Sequence, residues 1–378
     1  MIFSPRPLRL ALAAAVLGGL STTVLAHHGI GLFQLQFDRE WSGTLTKMNL
    51  VNPHSYMELD VTQADGKVQH MRCEMRAATL LKRSGWSEDM FKVGAHVDIK
   101  GHPHRDDPGA CYIETFAING KEMGRNDTLT SAKPVDTSQR PARLADGQLN
   151  ISGDWAVEQM ILTVSPDGDR SMMPASLSAD VASGKITREQ VRALQPPRPK
   201  TVYTPEGEAA SKTFNSRSPK DNPWFACKPT SLIRDWTADW PINQFVQSTT
   251  ADGEKVIDIT YGLYNFKRRI HVGMKQHPAN LTPSYAGHSI GNWEGDVLVV
   301  DTIGFEPGLL SPPTRSSDKL HIVERFSLDT AKMALKREYS VTDPVNLAAP
   351  YESYDVMYLS ETPFEAHECK EMTPEFQQ

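Results

Sequence analysis

The strongest constraint on this chain is a period of two that recurs from Gln244 onward. Apolar and polar residues alternate over short runs near 244–248, 255–264, 267–273, 296–303, 320–328, 333–342 and 353–360. Side chains of an extended strand point alternately to opposite faces, so each run is a strand with one buried and one wetter face. Short links rich in turn residues favour an antiparallel meander, closed as a barrel or folded as a sandwich. The hairpin over 320–342 sets a register. A four-residue loop, Asp329-Thr330-Ala331-Lys332, places Leu328 opposite Met333, Phe326 opposite Leu335, Glu324 opposite Arg337 and Ile322 opposite Tyr339, all on one side of the sheet. An acid facing a guanidinium on an otherwise apolar face is a buried or half-buried ion pair. Such a pair is either structural or a polar spot in a cavity that orients a ligand or serves acid–base chemistry.

The first third also reads as strands, near 41–48, 55–62, 68–75, 95–100 and 111–118, with a helical stretch Arg76 to Arg83 that stops at Ser84-Gly85. Five strands with a helix between the third and fourth is the order of an OB-like barrel. Met57, Leu59 and Val61 share one face, and Met71, Cys73 and Met75 another. These sets meet if a three-residue loop, Asp65-Gly66-Lys67, joins the strands, whereas a two-residue Asp-Gly turn sets Leu59 against Arg72. The apolar pattern outranks the turn dipeptide, and Cys73 then points inward toward Cys111.

The N-terminal residues place Arg6 and Arg9 before an apolar run, Leu10 to Leu20, and then Val24-Leu25-Ala26. That is a signal peptide over 1–26, cleaved after Ala26, and implies a periplasmic or secreted protein starting His27-His28. No later segment approaches the roughly 20 apolar residues of a membrane helix, so no integral membrane segment is expected after cleavage. Roughly 350 residues exceed what one core usually serves, which implies two domains: 27–124, OB-like, and 151–378, joined by a polar linker over 125–150. The net charge of -6 is spread along the chain with no basic run, so nucleic acid is not an expected partner. Four cysteines in an oxidising compartment imply two disulfides. Cys73–Cys111 and Cys227–Cys369 keep each bridge within one domain, although three connectivities are open.

Within the second domain a polar, Pro-rich insert spans about 165–222, with helices expected over 177–194 and 204–213, the latter with Thr204 as N-cap and Pro205 at its first position. Gly153-x-Trp155 at the start of such a domain resembles lipocalins, and implies a lipocalin-like antiparallel barrel. The long run Gly287-His288-Ser289-Ile290-Gly291-Asn292-Trp293-Glu294-Gly295-Asp296, continuing through Asp301 to Phe305, resembles a signature of exported bacterial proteins of uncharacterised function. His321-Ile322-Val323-Glu324-Arg325-Phe326 and the final Glu368-Cys369 look like the same family. The first domain is similar to a second such family, which begins His-His after its signal and carries Asn52-Pro53-His54. Neither resemblance brings an activity.

Asp301 interrupts an apolar strand, so its charge needs a partner or a role. His288 and His321 are candidates, and with Glu324 and Arg337 they complete a candidate acid–base set. No GxSxG, GxGxxG, Walker A or HExxH run is present. In the first domain, the free amine of His27 with His28 and His54 is a candidate copper set, and His102 and His104 a further pair. Abundant aromatics in the second domain suit a chamber for a small apolar or aromatic molecule. The resulting expectation is an exported binding protein for such a molecule, with copper binding and cofactor-free acid–base catalysis as alternatives.

Overall fold

The structure is a computed structural model that describes residues 33–366, apart from 53, 126–134, 169, 198, 217, 219, 227 and 237–240. Its first sheet is built from β1 (Arg39–Asn49), β2 (Tyr56–Thr62), β3 (Val68–Glu74), β4 (His96–Pro103), β5 (Ala110–Ile118) and β6 (Lys121–Arg125), with α1 (Ala78–Arg83) between β3 and β4. The strand order β3-β2-β1-β4-β5-β6, with β3 also pairing β5, closes a five-stranded barrel and leaves β6 outside it. Leu45, Met57, Leu59, Met71, Val97, Ile99 and Ile113 alternate into its core. The parallel β3–β5 pairing sets Cys73 directly opposite Cys111, with Cα atoms 4.4 Å apart, and they are disulfide-bonded. Cys227 and Cys369 lie outside the described residues.

The β2–β3 loop has three residues, as expected, but they are Ala64-Asp65-Gly66. The Gln63 N–H donates to Lys67 O at 2.8 Å, and Gly66 takes a φ of 82°. Glycine accepts that left-handed conformation at the last loop position without a Cβ clash. Leu59 therefore faces Met71 and Met57 faces Cys73. The register moves by two residues and the apolar faces still meet.

The second barrel closes through β7 (Gly153–Val157), β10 (Asn243–Thr249), β11 (Lys255–Tyr261), β12 (Phe266–Val272), β13 (His288–Glu294), β14 (Val297–Ile303), β17 (His321–Asp329), β18 (Ala334–Thr342) and β19 (Tyr351–Leu359). The intervening pieces are β8 (Met160–Val164), β9 (Arg170–Pro174), β15 (Gly308–Ser311) and β16 (Thr314–Ser316), which form two small hairpins. The expected meander is broken once. β12 and β13 run parallel, because residues 273–287 carry the chain along the outside of the barrel before it re-enters. β13 itself is absent from the expected strands, since Gly291, Asn292 and Glu294 dilute its apolar alternation.

The β17–β18 hairpin also differs in register. Asp329 pairs with Ala334, so the four-residue loop is Thr330 to Met333, and Glu324 faces Tyr339 while Phe326 faces Arg337. Met333, at φ 48°, supplies the left-handed residue. A shift of two keeps Glu324 and Arg337 on the same inner face as diagonal neighbours. In the insert, the single helix expected over 177–194 is two, α2 (Ala175–Ala182) and α3 (Arg188–Leu194), separated where Gly184 turns at φ 74°. α4 (Pro205–Lys212) begins as expected, with Thr204 Oγ1 accepting from Gly207 N at 3.0 Å. No helix among the described residues is long and apolar enough to cross a membrane.

The lumen of the second barrel is occupied. The segment 230–236 enters it, and the Trp236 ring packs 5.5 Å from Phe245, 5.8 Å from Tyr261 and 5.7 Å from Phe326, centroid to centroid. Arg337 donates to Leu232 O at 2.8 Å, and Asp235 anchors the segment by accepting from Trp224 Nε1 and Thr230 N. Burial pushes the Asp235 carboxyl up to about 6, against the pull of those hydrogen bonds. The two barrels meet through Arg83 Nη2 to Val157 O (3.0 Å) and Gln159 Nε2 to Ser84 Oγ (2.6 Å). Beside this contact lies an open cleft of about 640 Å³ bordered by Lys82, Arg83, Glu158, Lys332 and Tyr358.

Candidate functional site: a histidine–carboxylate array on the second barrel

The expected acid–base set is divided by the wall of the barrel. Glu324 and Arg337 point inward; His288, Asp301 and His321 point outward. Inside, Glu324, Arg337 and Arg268 are all almost fully buried. Arg337 donates to Glu324 Oε1 at 3.3 Å and to Asp355 Oδ2 at 2.7 Å, and Arg268 pairs with Glu324 Oε2 while its Nε donates to Ser289 Oγ at 2.9 Å. Burial pushes the Glu324 carboxyl up, but the two guanidinium groups outweigh it and hold the group below its ordinary value. Closed in by aromatic rings and the 230–236 segment, this network is structural. Arg268 and Asp355 were legible by parity, two residues from the inward Ile270 and Met357.

The outer face carries the reactive arrangement, at one end of β12, β13, β14 and β17. Asp301 Oδ1 lies 2.9 Å from His277 Nε2, and its Oδ2 lies 2.9 Å from His321 Nε2. His277 Nδ1 is 2.8 Å from His288 Nδ1. The His271 ring stacks on His288 at 4.8 Å and 10°, and its Nδ1 is 2.6 Å from Glu254 Oε1. His277 belongs to the outer segment 273–287, and glycines of the signature seat that segment. A Cβ on Gly287, at φ 63°, would lie 2.7 Å from Ile303 O, and one on Gly304, at φ 76°, 2.9 Å from Leu281 Cδ1. Ser284 N donates to Gly304 O at 3.1 Å, and Glu306 N returns to Ser284 O at 3.1 Å, which locks the segment to the end of β14. His271 and His277 were missed in the sequence because their roles depend on the parallel β12–β13 pairing and on this crossing segment.

The hydrogen-bond chemistry assigns the protons. A carboxylate only accepts, so His277 and His321 both present Nε2–H to Asp301 and keep a lone pair on Nδ1. His277 Nδ1 then accepts from His288 Nδ1–H, which leaves the His288 lone pair on Nε2. Burial pushes the Asp301 carboxyl up, but the hydrogen bonds from His277 and His321 outweigh it and hold the group ionised below the usual carboxylate range. Burial, helped by the neighbouring His271 and His277, lowers His288 from its ordinary value. The result is a wire with two basic ends, His288 Nε2 and His321 Nδ1, joined through one carboxylate. His321 and Asp301 are each 40% exposed, so solutes reach the array from solvent, whereas His277 at 13% is enclosed.

Of the expected copper set, His54 alone falls among the described residues. His27 and His28 lie outside them, and His54 Nδ1 is engaged by Glu74 Oε1 at 2.9 Å. His104 Nδ1 accepts from Asp106 N and Asp107 N, so it caps a loop.

Residues 15–111 match a family described as a family of unknown function (DUF6152). No curated protein matches the chain. Among solved structures, the crystal structure of the wild-type fluorescent protein UnaG is 12% identical, covering 32% of this chain and 75% of that one with a TM-score of 0.20. A mutant of UnaG is 10% identical, covering 37% and 87% with a TM-score of 0.21. At these scores neither likeness bears on what the protein does.

Proposed function

We propose that this is an exported protein whose second barrel carries out general acid–base chemistry on a small molecule at its outer wall. The observation that carries this reading is the single carboxylate, Asp301, holding two imidazoles in one tautomer while one of them accepts from a third. A substrate proton taken by His288 Nε2 lets the Nδ1 proton pass to His277 Nδ1, so the positive charge comes to rest on His277 beside Asp301. Reversal delivers the proton back, and His321 Nδ1 offers a second base on the other side of the carboxylate. The chain supplies both directions of transfer without a cofactor.

A simple aromatic probe tests this: 5-nitrobenzisoxazole opens when a base removes its ring C–H proton. The protein should accelerate this opening by about 100-fold over an equal concentration of free imidazole. Asp301→Asn and His288→Gln should each lower the rate by roughly tenfold or more, the asparagine because it cannot accept from both imidazoles. Since His288 is held below the ordinary imidazole value of 6.5, the rate should rise along a limb lying below that value and be level at neutral pH. A wild-type rate no greater than that of imidazole, or unchanged in both variants, defeats the proposal. The alternative, a small apolar or aromatic molecule inside the lumen, requires the 230–236 segment to withdraw from its seat against Phe245, Tyr261 and Phe326.

A further inference from the structure

The edge of the His288 ring belongs to the proton wire, and its face is covered by a second carboxylate–imidazole pair. Glu254 closes the turn between β10 and β11, where Thr250 N donates to the Glu254 carbonyl at 2.8 Å and Glu254 N donates to Thr250 Oγ1 at 3.0 Å. His271 lies on β12 opposite Val256, and the fully buried Ile270 beside it sets the His271 ring on the outer wall. A carboxylate only accepts, so His271 gives its Nδ1 hydrogen to Glu254 Oε1 at 2.6 Å. The parallel pairing of β12 with β13 sets His271 beside Ile290. His288, two residues earlier on the same face, therefore meets the flat of the His271 ring, at 4.8 Å and 10°.

Two imidazoles stacked this closely titrate as a pair, because a positive charge on one repels a positive charge on the other across 4.8 Å. The surroundings of the two rings differ. His271 has the Glu254 carboxylate at its edge, whereas His288 has the neutral His277 ring there, with Asp301 and His321 one step further along the wire. The Glu254 charge also reaches Arg269, which is tied to Asp258 at 2.7 Å. We propose that Glu254 and His271 are positioning residues for the outer wall: the first proton taken up by the stacked rings rests on His271, and His288 Nε2 stays a free base. That proton does not enter the wire, since His271 presents its π-face to His288 and its Nδ1–H to Glu254. A phenyl ring would stack on His288 as well, so the imidazole and its carboxylate are there for charge. Burial is the first cause that lowers His288, the His271 and His277 rings lower it further, and Glu254, one ring away, opposes them. The consequence for rate rests on the acid–base function proposed above, but the order in which the rings charge does not.

A pH titration of the full chain, with the ring nitrogens of His271 and His288 followed by nitrogen-15 spectroscopy from neutral to acidic pH, tests the order. In the wild type His271 should gain its second ring hydrogen at a higher pH than His288. His271→Phe keeps the stack without the charge and should raise the His288 midpoint by about 0.5 pH unit or more. The rising limb of the 5-nitrobenzisoxazole rate should then move to higher pH by the same amount, because the base is lost earlier on acidification. Glu254→Gln still accepts the Nδ1 hydrogen but cannot hold the charge, so the two rings should titrate together. Glu254 lies in an exposed turn, and its variant decides the matter if His271→Phe does not fold. The proposal is overturned if His288 charges first in the wild type, if the wild-type order persists in Glu254→Gln, or if the His288 midpoint does not rise in His271→Phe. Titrations in the expected order, with a probe rate no greater than that of imidazole, uphold the ordering of protons and defeat only the catalytic reading.

Discussion

Replacing Glu324 by alanine will destabilise the second barrel by about 3–5 kcal/mol, as removal of one partner from a buried ion pair does. The cost arises from what remains. Arg337 keeps Asp355, but among the described residues Glu324 is the only carboxylate on Arg268, which otherwise donates to the Ser289 and Thr302 hydroxyls. A guanidinium that is only 2% exposed cannot recover its hydration. Urea unfolding followed by far-ultraviolet circular dichroism measures the loss as a lowered midpoint at unchanged slope. Because the guanidinium groups hold Glu324 below its ordinary value, its contribution is complete at neutral pH and is lost as pH falls through that lowered value. A loss under about 1 kcal/mol, the range of exposed pairs, means that water reaches the network.

Trp236→Ala is the second large effect. Truncation of a buried tryptophan costs about 3–5 kcal/mol, and the space left is lined by Phe245, Tyr261, Phe326 and the Arg337 guanidinium, which stacks 4.4 Å from the Trp236 ring centroid. A space walled by aromatic rings with one cation at its edge suits a flat aromatic guest. Indole should therefore raise the melting temperature of the variant and leave that of the wild type unchanged. If indole stabilises the wild type equally, the 230–236 segment yields to a guest, and the lumen is a ligand chamber.

The two barrels were legible in the sequence because alternation is a local property. The inward placement of Met57, Met71 and Cys73, and of Glu324 and Arg337, follows from parity alone, and a register error of two preserves it. The loops were harder to place. Gly66 and Met333 each moved a turn by one residue, since a left-handed position is as decisive as the apolar count. The array was half legible. Asp301 stood out as a charge in an apolar run, and His288 and His321 as its partners. His277, which completes the wire, lies in a segment without period, and its place is set by Gly287, Gly304 and the parallel pairing of β12 with β13. The division of Glu324 and Arg337 from the histidines was legible by the same parity, since His321 lies three residues from Glu324 on β17 and Asp301 falls between the inward Val300 and Thr302, but the candidate set joined the two faces by chemistry alone.

Nitrogen-15 imidazole spectroscopy of the histidines at neutral pH tests the proton wire most directly, because the ring nitrogen shifts report which atom carries hydrogen. The account predicts that His277 and His321 carry it on Nε2 and His288 on Nδ1, with the His288 pattern lost in His277→Ala and the His321 pattern altered in Asp301→Asn. A His288 ring protonated on Nε2 alone, or three rings exchanging freely between tautomers, contradicts the wire and with it the acid–base function proposed for the outer wall.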